Sequence, residues 1–600
     1  MKVLVDDRLN YESFLSTLSS EQWKRVGIKR RSGVAAPLFS VYSSKSIGIG
    51  ELPDISLLVD WCKVTGMSLI QLLPLNDVGF NFRPYDAQSS FAIDPMYLSL
   101  NELIGIDISL YNNELKKIKS AFPTGVKRVN YGIKSAKLSL LWKIFEDRSL
   151  ENVGAFTDFI KNNSFWLEDY AVFKVIKERH GEVSWEGWGE GLKHRNNDTL
   201  CSFKEANKGR VLFFKWLQWQ LFEQFKAAKK YASDRDVLLV GDLPFLVSRD
   251  SADVWSHQDY FKLLLFAGAP PDMLYSNGQR WGMPPYNWEE IAKNEYDYVV
   301  EKLKYAQNFY NMYRIDHVVG IFRVWTIPLS EPLENAGLAG VFDPKEEALW
   351  EEHGRKLLSA MINNTTMLAC AEDLGVVPDC SNKVLSELGI PGIDVQRWKR
   401  DWGKTYDFSG PLTYRKNSIA VIATHDMSSL KAWWEFEAGT VDECLIKRKC
   451  KEKDLPYDAI KNRLFDSSAS LHGRLRWKKE INCSDAVDFA GLYKDTFDEK
   501  DKFLNFLDIE KPENNLPSKF IKSALEKITA SASIFSIQLL HDWLSLDTLF
   551  DEDPWETRIN FPGTLSERNW RLAMPISLED MISIPVNTII SSINKQGNRT

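Results

Sequence analysis

The chain has 600 residues, enough for two to four ordinary domains or for one barrel with insertions. It is 44% hydrophobic and 26% charged, with 75 Lys and Arg against 82 Asp and Glu and a formal net charge of -7. That is the composition of a globular protein, with no basic excess to attract nucleic acid or an anionic membrane. No run of about 18 apolar residues occurs, and acidic residues stand where a signal peptide would carry its apolar core. The seven cysteines are scattered with no C-x-x-C pair, so neither a zinc site nor a disulfide framework is expected, and a reduced cytoplasmic setting is. The 21 Trp, 20 Tyr and 33 Phe supply flat apolar faces that suit sugar rings or a protein core.

Short β-rich runs that end in polar or charged residues recur along the chain at Val34–Tyr42, Ser68–Pro74, Val237–Phe245, Met312–His317, Met367–Leu374 and Ser418–Asp426. Helical stretches lie between them, as in parallel βαβ units. VLLVGDLPF, MLACAEDL and IAVIATHD are near-continuous apolar runs closing in an acid, the pattern of strands buried on both faces and emerging at their carboxyl ends. The expected fold is therefore α/β, a (β/α)8 TIM barrel with its site on that face. Residues ~101–233 read as mainly helical, with Phe213, Leu217, Leu221 and Phe225 on one stripe, and ~430–545 as charge-rich and mostly helical. With no Pro/Ser/Gly-rich linker around them, both are expected as large insertions in one catalytic unit, 32–600, preceded by an extension at 1–31.

Three constellations could carry chemistry. In YRIDHVVG, Arg314 and Asp316 are two apart on a strand and share a face, so the guanidinium can hold the carboxylate ionised; a purely structural ion pair would look the same. In CAEDLG, Glu372 follows a buried run and precedes Asp373, surroundings in which a carboxylic acid keeps its proton, although a strand-end acid can equally cap a helix. In ATHDMSSLKAWW, His425 and Asp426 could grip sugar hydroxyls or serve as an N-cap. Together, acids at the ends of barrel strands can supply the nucleophile and the protonated carboxyl that retaining glycoside chemistry requires. Gly268–Trp288, with Tyr275, Trp281, Tyr286 and Trp288, and Arg83–Pro95, with Tyr85, read as loops presenting stacking platforms or as satellite packing. GIGELP lacks the third glycine and distal acid of a dinucleotide loop.

In their order along the chain, GIGELPDISLLVDWC, LIQLLPLND, PYDAQSSFAIDPMYL, VGDLPFLVSRDSADVW, PPDMLYSNGQRWGMPPYNW, YRIDHVVG, AEDLG, THDMSSLKAWW and ETRINFPGT resemble the 4-α-glucanotransferases, also called amylomaltases, of the α-amylase-like group. The resemblance implies a (β/α)8 barrel with helical insertions and no metal or organic cofactor. Carried over by position, it implies Asp316 as nucleophile, Glu372 as acid/base and Asp426 as the stabilising carboxylate. Sugar contacts are implied for Tyr85, Asp242, Trp281, Arg314, His317 and His425. Its substrates would be malto-oligosaccharides or glycogen- and starch-like glucans. Asp86-Ala87-Gln88 and Met427-Ser428 depart from the commoner bacterial pattern, and HDMSSLKAWW looks like the plant cytosolic and related bacterial branch. The rival activities are α-amylase-like hydrolysis by the same acids and catalytically silent glucan binding.

Overall fold

The computed structural model describes residues 9–147, 154–271, 277–510, 519–550 and 553–600. Eight parallel strands form one sheet: β1 (Arg31–Ala35), β2 (Leu69–Gln71), β3 (Leu238–Leu243), β4 (Met312–Ile315), β5 (Leu368–Ala371), β6 (Gly392–Val395), β7 (Ser418–Val421) and β8 (Phe535–Leu539). Their spatial order is their chain order, with β8 pairing back onto β1. The remaining seam, between β5 and β6, is bridged by Ala371 N–H donating to Pro391 O and by Ile393 N–H donating to Asp373 Oδ1, both at 2.7 Å. The result is the expected barrel of parallel strands.

Period-two alternation decides which residues fill it. Leu238, Val240, Met312, Leu368, Cys370, Ile393, Val395, Ile419, Val421, Phe535 and Ile537 belong to one buried cluster in the interior. The same parity carried forward points Asp242, Arg314, Asp316 and Glu372 toward the axis at the carboxyl ends. The N-terminal segment plugs the opposite end. Helix Ser20–Val26 buries Trp23, whose ring stacks on Phe535 at 5.6 Å and whose Nε1–H donates to Gly389 O. At the same end the fully buried Arg599 donates to the carbonyls of Arg31, Thr529, Ser531, Ser533 and Ile534.

The helical reading of 101–233 corresponds to helices including Ile133–Glu146, Leu167–Arg179 and the long Lys208–Ser233, on which Phe213, Leu217, Leu221 and Phe225 are all buried. The segment 430–545, read as mostly helical, also holds strands that the reading did not include. Helices Glu443–Glu452 and Lys519–Thr529 are present, but so is a small antiparallel sheet of 440–442, 465–466 and 474–477, and the segment ends in barrel strand β8. In FSIQL the polar Ser536 and Gln538 interrupt the apolar run. Gln538 is fully buried and works as a strand linker, accepting from Ile422 N–H and donating to Ala420 O. β6 escaped notice for the same reason: its Asp394 breaks the apolar pattern, and its carboxylate is taken up by Arg415 and Lys399. The first expected run, Val34–Tyr42, shares only Val34 and Ala35 with β1, which begins earlier at Arg31 and stops before Pro37, a residue with no N–H to extend the ladder. Among the described residues no helix is long and apolar enough to cross a membrane.

Candidate active site

Arg314 lies at the centre of the acidic cluster. Its Nη1 donates to Asp242 Oδ1 at 2.7 Å and to Asp316 Oδ1 at 3.0 Å, while Nη2 stands 4.0 Å from Glu372 Oε2. Arg314 and Asp242 are buried, whereas the side chain of Asp316 keeps a quarter of its surface. Asp242 Oδ2 also accepts from Tyr85 OH at 2.7 Å, so both of its oxygens are engaged. Burial and the charge of Asp316 push the Asp242 carboxyl up, against the opposing pull of Arg314.

Glu372 accepts the backbone N–H of His317 on Oε2 at 2.8 Å. That N–H is aimed by a left-handed backbone at His317, φ 45°, an unusual conformation for a residue with a side chain. Burial, resisted by Arg314 and reinforced by the Asp316 charge, raises the Glu372 carboxyl to about 8. It is thus protonated at neutral pH, and with Oε2 accepting a hydrogen bond the proton belongs on Oε1. The adjacent acid, Asp373, contributes least, because successive strand residues face opposite ways: it pairs with Arg415, which precedes β7, and accepts Ile393 N–H across the β5–β6 seam. The helix after β5 begins only at Asp379, which removes the capping role for Glu372.

Asp426 follows β7. Its Oδ1 accepts from Asn560 Nδ2 at 2.7 Å, its Oδ2 lies 3.5 Å from His425 Nε2, and its carbonyl accepts from Arg558 Nη2 at 2.7 Å. Burial would raise this carboxyl, but His425, Asn560 and Arg314 outweigh it and hold the group below the usual carboxylate range. The helix-capping role at this turn belongs to Ser429, whose side chain accepts from Ala432 N–H. Two carboxyls in one cleft therefore sit in opposite states, one acid and one anion, which is the division acid/base chemistry needs.

Aromatic rings line the cleft. Tyr85 stacks on His425 at 5.2 Å with rings 16° apart, and Trp570 flanks both at 5.8 and 5.9 Å. On the other side Trp281 stands edge to face with His317 at 4.8 Å. Burial lowers the His317 imidazole to about 4, so the ring is neutral. Trp281 lies on the expected loop, directly after the short strand 279–280 of an antiparallel sheet of 265–269, 279–280, 324–328 and 341–343. Residues 272–276, with Tyr275, lie outside the described residues, while Tyr286 is core, packed between Phe245 and Phe261. All nine expected site residues thus gather on one face of the barrel. Sequence reasoning assigned no role to Arg558, Asn560 or Trp570, which come from a segment more than 130 residues beyond Asp426. The R-x-N spacing in ETRINFPGT was a signal for Arg558 and Asn560, and nothing in the motif pointed to Trp570. Among the described residues no group of three or more His, Cys, Asp or Glu side chains is placed to hold a metal ion.

A sequence profile of the family described as 4-alpha-glucanotransferase matches residues 36–578. The chain is 33% identical over 572 residues to a 4-alpha-glucanotransferase of Chlamydia pneumoniae, covering 94% of this chain and 95% of that protein. It is 27% identical over 559 residues to a 4-alpha-glucanotransferase of Oryza sativa subsp. japonica, covering 68% of this chain and 59% of that one. The fold superimposes on the amylomaltase from Streptococcus agalactiae in complex with acarbose with a TM-score of 0.71 at 22% identity, covering 95% of this chain and 100% of that one. For the amylomaltase from Corynebacterium glutamicum the TM-score is also 0.71, at 19% identity, covering 96% and 76%. With nearly the whole chain matched, the protein belongs to the 4-α-glucanotransferase family, glycosyltransferases that act on α-1,4-glucans.

Proposed function

We propose that Asp316, Glu372 and Asp426 carry out this transfer by a retaining double displacement. The observation that supports it most strongly is the single guanidinium of Arg314, which bonds Asp316 and lies 4.0 Å from a Glu372 that holds its proton. Retaining chemistry needs its two carboxyls about 5–5.5 Å apart, a spacing that one guanidinium between two carboxyls favours. Glu372 gives its proton to the glycosidic oxygen as Asp316 attacks the anomeric carbon. The C–O bond to the reducing-end fragment breaks, and a β-linked glucosyl ester forms on Asp316. Glu372, now a carboxylate, takes the proton of an acceptor 4-OH; the freed oxygen attacks the same carbon, releases Asp316 and restores an α-1,4 bond.

Asp426, kept anionic, accepts hydrogen bonds from ring hydroxyls and binds more strongly as the ring flattens and gains positive charge. Tyr85, His425, Trp281 and His317 face the sugar, with Asp242 and Arg314 as the charged floor beneath. We place malto-oligosaccharides and glycogen- or starch-like glucans in this cleft. The ring of Trp281 favours transfer over hydrolysis, because an acceptor sugar stacked there displaces water. All seven cysteines are free, which supports a reducing, cytoplasmic setting. Incubation with maltotriose tests the reading. A ladder of longer oligosaccharides is expected from the native chain and none from Asp316→Asn; glucose release without a ladder would make it a hydrolase, and substantial transfer by the variant would remove Asp316 from the nucleophile role.

A further inference from the structure

Beyond the reacting centre, four rings from three separate chain segments meet beside the segment that holds Asp426. His472 lies flat on Trp555 at 4.3 Å with the rings 7° apart. Phe436 stands edge to face with both, at 4.8 Å from His472 and 5.7 Å from Trp555, and Phe561 completes the group 5.7 Å from Trp555. His472 is exposed and the other three are half-buried, so the cluster is a ledge rather than core.

Its connection to the chemistry is short. Arg558 lies over Phe561 at 5.1 Å, and the same guanidinium donates to the carbonyls of Asp426 and Asn560 and pairs with Glu437, the neighbour of Phe436. The ledge is therefore fixed to the turn that carries Asp426. His472 comes from the small inserted sheet, on the loop 467–473 between strands 465–466 and 474–477. The strand Arg474–Trp477 is fastened to the Phe436 segment by Arg476, which donates to Glu435 O and Ala438 O.

The backbone of His472 is left-handed, φ 53°, immediately before Gly473 at φ 72°. A side chain costs free energy in that conformation, and an exposed loop tip would relax unless something held it. The stack on Trp555 is what holds it here. Nothing in the proposed reaction uses these rings, while stacked flat apolar faces rimmed by carboxylate and guanidinium groups are the surface that a glucose ring binds through its C–H face and hydroxyls.

We infer that the ledge of Phe436, His472, Trp555 and Phe561 is a distal subsite for an α-1,4-glucan chain, binding glucose units beyond the pair that reacts and selecting for long substrates. The inserted sheet exists, in this view, to supply the fourth ring. The inference rests on Asp426 facing the reacting sugar, and its test separates the two ideas. Initial rates are compared for His472→Ala, His472→Phe and Trp555→Ala with maltotriose as sole substrate and with maltoheptaose as acceptor. The ledge predicts that maltotriose disproportionation stays within about twofold of the native rate, while the KM for maltoheptaose rises about five- to tenfold in both alanine variants, the loss of one stacking partner. His472→Phe should retain the native KM. Equal losses on both substrates, no loss on either, or a phenylalanine variant that behaves like the alanine one would overturn the subsite. Because His472 sits on an exposed loop, its variants keep the test alive even if Trp555→Ala fails to fold. A native chain inactive on maltotriose would instead count against the reading of the catalytic centre.

Discussion

The backbone N–H of His317 reaches 2.8 Å to Glu372 Oε2 across the β4–β5 boundary, and it does so from a left-handed conformation that a non-glycine residue adopts only when its surroundings hold it. The bond fixes which oxygen of Glu372 is the acceptor and leaves the other to carry the proton. Burial and the charge of Asp316 then keep that proton in place to about pH 8 despite Arg314.

A pH profile follows from this. An acid catalyst works only while protonated, so kcat/KM for maltotriose should hold through neutral pH and fall about tenfold per unit once pH exceeds about 8. Glu372→Gln cannot donate a proton and should lose about 10²- to 10⁴-fold in transfer at pH 7. A native profile flat to pH 10 would contradict the assignment.

Arg314→Lys should be nearly as damaging as Arg314→Ala. The guanidinium bonds Asp242 and Asp316 in fixed directions, and an ammonium on a flexible stem cannot bridge both. Loss of the partner leaves Asp242 as a buried acid with only Tyr85, a cost of about 3–5 kcal/mol for a broken buried pair. Thermal denaturation should show a lowered Tm in both variants, alongside transfer rates reduced at least a hundredfold.

Asn560→Ala removes the hydrogen bond that orients Asp426 Oδ1. Hydrogen bonds to charged groups contribute about 1.5–3 kcal/mol, so kcat should fall about 10- to 100-fold. If Asp426 acts mainly on the flattened ring, KM for maltotriose should change little. Steady-state kinetics that show the loss in KM alone would place Asp426 in ground-state binding.

Much of this site was legible in the sequence, and the reason is the two-residue period of a strand. Once VLLVGDL, MYRID and LACAE are read as strands buried on both faces, Asp242, Arg314, Asp316 and Glu372 must share the interior face. What stayed hidden was held by contacts with no local periodicity. Asn560 and Arg558 reach Asp426 from 134 and 132 residues away. β6 and β8 were missed because buried polar side chains, Asp394 and Gln538, make hydrogen bonds there that composition does not reveal. The N-terminal segment looked like an appendage and is the floor of the barrel.

That floor gives a stability prediction. Trp23 is fully buried between Phe14 and Phe535, so Trp23→Ala should cost about 3–5 kcal/mol. The expected signature is a fall in Tm with little change in the kcat of the protein that remains folded, since Trp23 lies at the end of the barrel away from Asp316.

The most direct measurement is the identity of the covalent intermediate. With α-maltosyl fluoride as donor, fluoride leaves without needing an acid, so Glu372→Gln should still form the glycosyl ester yet lack the base to resolve it. Quenching that reaction and mapping the modified peptide by mass spectrometry should place one maltosyl group, attached through an ester, on the peptide containing Asp316. No adduct, or an adduct on a peptide carrying a different carboxylate, would contradict the account.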